Sequence, residues 1–293
     1  MDLHSELVPH SDLRQPLSDE PVLQFENVTV SFGEGPVLDD VSFSIHPGRT
    51  HILFGAAGSG KSVLLKTAIG LLRPDSGHVR LFHEDITHMD EQHLFDMRGK
   101  VGVLFQESGL FDSLTVEENV AYPILNQRAA MKRRSKPKPE DVQRRVREAL
   151  RFVELEHTLE KFPSALSGGM RRRVGIARAA VTEPPLMLYD SPTAGLDPIT
   201  ANTIMALVVK ARDTRNTTSV IVTHRYQDGH IMANFRYNPA NGELQSARRD
   251  SNIHDRTRFM VFREGRLVFE GTQEELEAAT DPYVAKFKSS RFS

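Results

Sequence analysis

Apolar and polar residues start to alternate at Val22, and the period of that alternation changes along the chain. The segments VLQFENVTVSF (22–32) and PVLDDVSFSI (36–45) repeat every second residue, which predicts two half-buried strands. His46-Pro47-Gly48 turns the chain into RTHILF (49–54), apolar enough for a strand covered on both faces. The period then lengthens: Val63, Leu64, Thr67, Ala68 and Leu71 share one face of a helix predicted over Ser59–Leu72, and RPDSG (73–77) stops it. A strand over Lys100–Phe105 ends at Gln106, and helical character follows. Val142, Val146, Leu150 and Val153 mark an amphipathic helix after KRRSKPKP (132–139), a basic, proline-broken stretch read as a solvated loop.

Leu186–Tyr189 and Ser219–Thr223 are short apolar runs that predict buried parallel strands, separated by a helix over Pro198–Arg212. Phe259–Phe262, Glu264-Gly265 and Leu267–Phe269 predict a hairpin, followed by a helix over Gln273–Ala279 and another from Asp281. Residues 226–258 contain the turn cluster NPANG (238–242) and the charged Arg248-Arg249-Asp250, and read as an inserted loop or hairpin. Residues 1–20 and 286–293 read as tails around one compound domain over 21–285, since a single core stops growing near roughly 250–300 residues. Strands and helices in alternation define an α/β fold.

Composition narrows the function classes. A hydrophobic content of 39% and a charged content of 26% exclude a disordered or collagen-like chain, and a net charge of -2 supplies no field for nucleic acid. With Cys 0 there is neither a disulfide framework nor a thiolate metal site. No apolar run reaches the ~20 residues that span a bilayer, and the first residues lack the pattern of a signal peptide, so the expectation is a soluble, cytoplasmic chain.

Chemistry enters at Gly55-Ala56-Ala57-Gly58-Ser59-Gly60-Lys61-Ser62, a phosphate-binding loop pattern placed between a buried strand and a helix, with Val63 just behind it. Its glycines let successive N–H groups face one phosphate, and the helix N-terminus adds partial positive charge. Lys61 is expected to reach the outer phosphates and Ser62 to ligate Mg²⁺. Asp190, at the carboxyl end of the Leu186–Tyr189 run, is expected to hold the same ion.

Leu166-Ser167-Gly168-Gly169-Met170 resembles the signature motif of ABC-type ATPases, with Met170 in place of the more usual Gln. Other landmarks of that family occur in the same order. Gln106 resembles the glutamine that reports on metal and nucleotide, Ala194-Gly195-Leu196-Asp197 the loop facing the dimer partner, His224 the switch histidine, and Phe32 the aromatic that stacks on adenine. The resemblance covers roughly 22–276. It implies a P-loop core with a mostly parallel sheet, an N-terminal antiparallel β subdomain and an inserted helical subdomain over about 107–180. It also implies that ATP glues two chains head to tail, with Ser167, Gly168, Gly169 and Asp197 meeting nucleotide held by the other subunit.

The strings VGVLFQESGLFDSLTVEENVAYPI (101–124), LSGGMRRRVGIARA (166–179) and GLDPIT (195–200) resemble ATPase subunits of Mla/Mce-type phospholipid transporters, notably at Glu107, Phe111, Asn119, Tyr122-Pro123 and Met170. That likeness implies a separate membrane permease, docked near residues 107–123, and a Mce-type lipid-binding subunit in the same complex. It places the chain peripherally on the inner face of the cell membrane. Leu110, Phe111 and Leu114 are candidates for the docking groove, whereas Val116 is expected to pack inside. The chain departs from the family at Ser191, where a glutamate normally orients the attacking water. Serine is no base at neutral pH, and losing one acid–base group slows a reaction by about 10²–10⁴. Slow hydrolysis supported by His224, a carboxylate from elsewhere, and a clamp that binds ATP without turnover all stay open. Arg225 also replaces the acidic residue that often follows the switch histidine.

Overall fold

The structure is a computed structural model that describes residues 20–33, 35–130, 137–247 and 256–288. Two sheets carry it. The first is antiparallel, in the order β2-β1-β4-β5, formed by β1 (Leu23–Ser31), β2 (Pro36–Ile45), β4 (Ser76–Leu81) and β5 (Glu84–Asp85). The second has the order β12-β11-β3-β8-β7-β6. Its strands β3 (Thr50–Gly55), β6 (Val101–Leu104), β7 (Leu186–Asp190), β8 (Thr218–Val222) and β11 (Thr257–Arg263) run parallel, and β12 (Arg266–Gly271) returns antiparallel at the edge.

Alternate residues of the central strands feed two separate cores, which explains why these strands read as continuous apolar runs. Ile52, Phe54, Met187, Tyr189 and Ile221 face one core, built with helices α3 (Val116–Ala130), α4 (Pro139–Phe152), α5 (Gly168–Ala180) and α6 (Pro198–Arg215). Leu53, Leu186, Leu188, Val220 and Val222 face the other, which they share with the antiparallel sheet, α1 (Lys61–Ala68) and α2 (Glu91–Arg98). Phe25 and Phe43, directly opposite each other on β1 and β2, stack within that second core at 4.7 Å between ring centroids.

Several expectations change. Helix α1 begins at Lys61 rather than Ser59, because Gly58 and Gly60 take left-handed φ values of 76° and 98° and keep the preceding loop out of the helix. It ends by Ala68; Gly70 turns left-handed, so Leu71 is exposed and Leu65 is buried in its place. Helix α6 runs one turn beyond Arg212, to Arg215, and closes on Asn216 in the left-handed region. Residues 226–258 do not begin as a loop. They open with α7 (Tyr226–Asn234), whose Met232 and Ala233 are core residues, and only then form a hairpin of β9 (Phe235–Asn238) and β10 (Glu243–Ser246). After α8 (Gln273–Ala278), the helix foreseen from Asp281 is a single tight turn over Val284–Phe287. Phe287, expected in a tail, stacks on Phe54 at 5.7 Å. The 1–20 tail up to residue 19, most of the basic stretch 132–139 and Arg248-Arg249-Asp250 lie outside the described residues.

Candidate functional site

Parallel strands end on the same side of a sheet, so the carboxyl ends of β3, β8, β7 and β6 bring Gly55, Thr223 with His224, Asp190 with Ser191, and Phe105 with Gln106 to one rim. On that rim the loop after β3 curls around the Lys61 ammonium. Lys61 Nζ donates to Gly55 O at 2.9 Å, Ala56 O at 2.7 Å and Ser59 Oγ at 3.1 Å. Burial lowers the Lys61 pKa from its ordinary value, and the Asp190 carboxylate pulls it partly back. The loop is tightly backed: a Cβ on Gly60 would lie 2.5 Å from Val37 O, and Gly265 N donates to Ser59 O at 3.3 Å. Its outer edge, Ala56 to Gly58, is exposed, while Val63 sits half-buried behind it against the second core.

Ser62 Oγ donates to Asp190 Oδ2 at 3.1 Å, joining two groups 128 residues apart in sequence. A hydroxyl and a carboxylate in contact beside a phosphate cradle form the oxygen donor set that a hard divalent cation takes. Ser191 adds its hydroxyl to the other oxygen of Asp190 at 3.4 Å, and its N–H donates to Val222 O at 2.9 Å. Its φ of 52° turns the chain sharply away from β7.

The remaining sequence candidates lie around this centre. His224 and the Gln106 side chain are exposed at the same rim, and Phe32 is exposed just after β1. Ser167 caps α5, accepting from Met170 N at 3.2 Å, with Gly168 and Gly169 opening the helix. Asp197 caps α6, accepting from Ile199 N and Thr200 N at 3.0 Å each. Neither cap hydrogen-bonds to the Lys61 loop among the described residues.

Three residues that sequence reading passed over hold these parts together. Arg172 is buried and donates to Phe105 O, Gln106 O and Ala194 O, tying the signature helix to the rim; burial lowers its pKa while Asp190 raises it. Its signal was spacing: of Arg171, Arg172 and Arg173, only Arg172 shares a helical face with Gly175, Ile176 and Ala179. Tyr283 OH accepts from Ala56 N at 3.2 Å and donates to Phe262 O at 3.0 Å. Asp228, fully buried, accepts from Thr193 and Thr223. No spacing in the sequence links either residue to the loop it contacts.

Beyond Gln106 the chain forms an apolar ledge held by the hydrogen bonds of one buried side chain. The buried Asn119 side chain accepts from Phe111 N at 2.8 Å and donates to Phe111 O, Leu114 O and Thr115 O. Phe111 and Tyr122 pack ring to ring at 4.6 Å, and Arg178 lies over Phe111 while donating to Gly109 O and Ser108 O. Both rings stay about two-fifths exposed, whereas Val116 is fully buried, as its place in the pattern implied.

A glycine loop closed on a lysine, opening a helix and facing a strand-end aspartate, defines a P-loop nucleotide-binding protein. The match to known proteins is more specific. Residues 38–194 fit the model of the ABC transporter family, and the chain belongs to that family. It is 32% identical to the probable ribonucleotide transport ATP-binding protein mkl of Mycobacterium leprae over 92% of this chain and 69% of that one. It is 38% identical to the methionine import ATP-binding protein MetN of Rhizobium etli, over 71% of this chain and 55% of that one. Among solved structures it resembles MJ0796 in a dimeric post-hydrolysis state bound to ADP and Pi, with a TM-score of 0.69 and 30% identity over 85% of this chain and 98% of that one. A nucleotide-free ATP-binding cassette from an ABC transporter gives a TM-score of 0.71 at 27% identity, covering 91% of this chain and 98% of that one. The chain is thus an ATP-binding ABC-type ATPase domain, and among its described residues no helix is long and apolar enough to cross a membrane.

Proposed function

We propose that this chain is the ATP-binding subunit of a lipid transporter of the Mla/Mce type, closing as a homodimer on ATP and moving a separate permease from the cytoplasmic face. The observation that carries this reading is the ledge of Phe111 and Tyr122, pinned by Asn119, in a segment whose text resembles that group. The relatives' own names speak of ribonucleotide and methionine transport, so the lipid assignment stands on residues 101–124 and Met170. In this reading Lys61 and the N–H groups of 58–62 hold the phosphates, Phe32 carries the base, and Ser62 with Asp190 and Gln106 holds Mg²⁺. Ser167, Gly168, Gly169 and Asp197 meet nucleotide on the partner, and a Mce-type subunit completes the complex. Bound Mg²⁺ would neutralise phosphate charge. The chain's own residues fix the phosphates, and His224 faces them from the neighbouring strand end. Mild-detergent purification from native cells, with identification of associated chains and lipids, tests the proposal; recovery without a membrane permease would sink it.

A second reading, a clamp with impaired hydrolysis, is favoured by Ser191, whose hydroxyl has no basic function at neutral pH. Steady-state phosphate release separates the two: turnover abolished by Lys61→Ala excludes a pure clamp, and background release alone supports one.

A further inference from the structure

We propose that Asp228 is a positioning residue that makes the loop after Asp190 and the loop carrying His224 respond to nucleotide as one unit. The proposal rests on the nucleotide-binding reading of the preceding section. Asp228 lies on α7 with no exposed surface, an unusual place for a carboxylate. One of its oxygens, Oδ2, accepts from Thr193 Oγ1 and Thr223 Oγ1, each at 2.6 Å. Thr193 belongs to the loop running from Ser191 to Asp197; Thr223 immediately precedes His224. Thr223 Oγ1 in turn accepts from Arg225 N at 3.0 Å, so the chain of bonds continues past His224.

The two loops meet a second time where Ser191 N donates to Val222 O. Between those two ties neither loop can shift without stretching a bond to the other. The Arg225 guanidinium lies 3.6 Å from Oδ1, and Arg225 and His224 both act toward the ionised form of the carboxyl. Burial nevertheless raises its pKa, with the hydrogen bonds from Thr193 and Thr223, then Arg225 and His224, acting against that rise. Oδ1 itself accepts no hydrogen bond among the described residues. A buried carboxylate with one oxygen hydrogen-bonded by two loops and the other in an ion pair with Arg225 is poor as a packing element and well placed as a linkage.

The test is hydrogen–deuterium exchange of the full chain, with and without Mg-ATP, read on peptides covering 191–197 and 223–228. Nucleotide affinity by fluorescence and particle mass by light scattering are measured on the same samples. In the wild type, Mg-ATP is expected to slow exchange in both segments together. In Thr193→Val it should slow 223–228 and leave 191–197 at least threefold less protected than in the wild type, with affinity within twofold. Thr193→Ser, which keeps the hydroxyl, should restore joint protection, and Thr193→Val with Thr223→Val should do no more than Thr193→Val alone to 191–197. Independent protection of the two segments in the wild type, absent protection, or equal behaviour of the Val and Ser variants overturns the proposal. Light scattering reports ATP-driven dimerisation separately, so a monomeric wild type that still shows joint protection counts against the dimer reading and not against Asp228.

Discussion

Replacing Ser191 with glutamate puts at that position the residue that the resemblance to ABC-type ATPases implies there, and the structure sets the size of two opposing effects. Backbone strain hardly changes, because the left-handed φ of 52° costs any side-chain-bearing residue about 1–2 kcal/mol, serine and glutamate alike. Charge does change. Ser191 Oγ is 3.4 Å from Asp190 Oδ1, and a longer carboxylate there would lie roughly 6 Å from Asp190, a repulsion of about 3 kcal/mol at an effective dielectric near 20. Solvent at this half-exposed rim trims that figure to roughly 1–2 kcal/mol. Without divalent cation, Ser191→Glu should therefore melt below the wild type, and Mg-ATP should remove the deficit by placing positive charge between the carboxylates. Catalysis should move the other way: a positioned acid–base group contributes about 10²–10⁴ in rate, or roughly 3–5 kcal/mol of barrier. Thermal melts with EDTA and with Mg-ATP, beside steady-state phosphate release, measure both. A change in release below threefold, with the fold intact by circular dichroism, would refute the view that position 191 is where the base belongs.

Four further outcomes are expected. Tyr283→Phe removes a hydroxyl that bridges Ala56 N and Phe262 O, and should weaken fluorescent-ATP binding about three- to tenfold, in line with roughly 1 kcal/mol for a net hydrogen bond; unchanged affinity would count against the bridge. Gly60→Ala, at φ 98° with its Cβ 2.5 Å from Val37 O, should abolish nucleotide binding measured the same way. His51 is buried in β3 with its pKa lowered first by burial, against the pull of Glu270, so the stability that its neutral form contributes is present above about pH 6.5 and lost as pH falls. Urea midpoints at pH 7.5 and 5.5 should fall less for His51→Leu than for the wild type. Phe111→Ala with Tyr122→Ala should lose the co-purifying permease while nucleotide affinity stays within twofold.

The strands β1, β2, β3, β7 and β8 and the phosphate loop were legible because their signals are local. Period-two alternation marks β1 and β2, a doubly buried apolar run marks β3, β7 and β8, and glycine spacing marks a cradle directly ahead of Lys61. The segment 76–99 was not read, since β4, β5 and α2 are short and carry few apolar residues: Val79 and Leu81 on β4, Leu94, Phe95 and Met97 on α2. Helix α7 was hidden by its own composition, because Asp228 and Gly229 look like turn residues. They are buried there for reasons of tertiary structure, the carboxylate by two threonine hydroxyls and the glycine by the Phe259 ring, which a Cβ would meet at 2.5 Å. Residues that act across the fold, such as Asp228 and Tyr283, leave no mark in the sequence around the loops they hold.

The contact between Tyr283 and Ala56 spans 227 residues, and it sets an order of events during synthesis. The GAAGSGKS segment leaves the ribosome before the strands that flank it, since β3 pairs with β8 through Thr50 and Ser219 and with β11 through Thr50 and Thr257. At about 5–20 residues per second, Tyr283 follows Ala56 by roughly 10–45 s. The antiparallel sheet, complete by Asp85, can form in that interval, while Ile52 and Phe54 wait for their covering strands and helices. A nascent chain therefore carries the cradle's sequence long before it has the cradle, and nucleotide in the cell meets the complete site only after β11 and Tyr283 have been made.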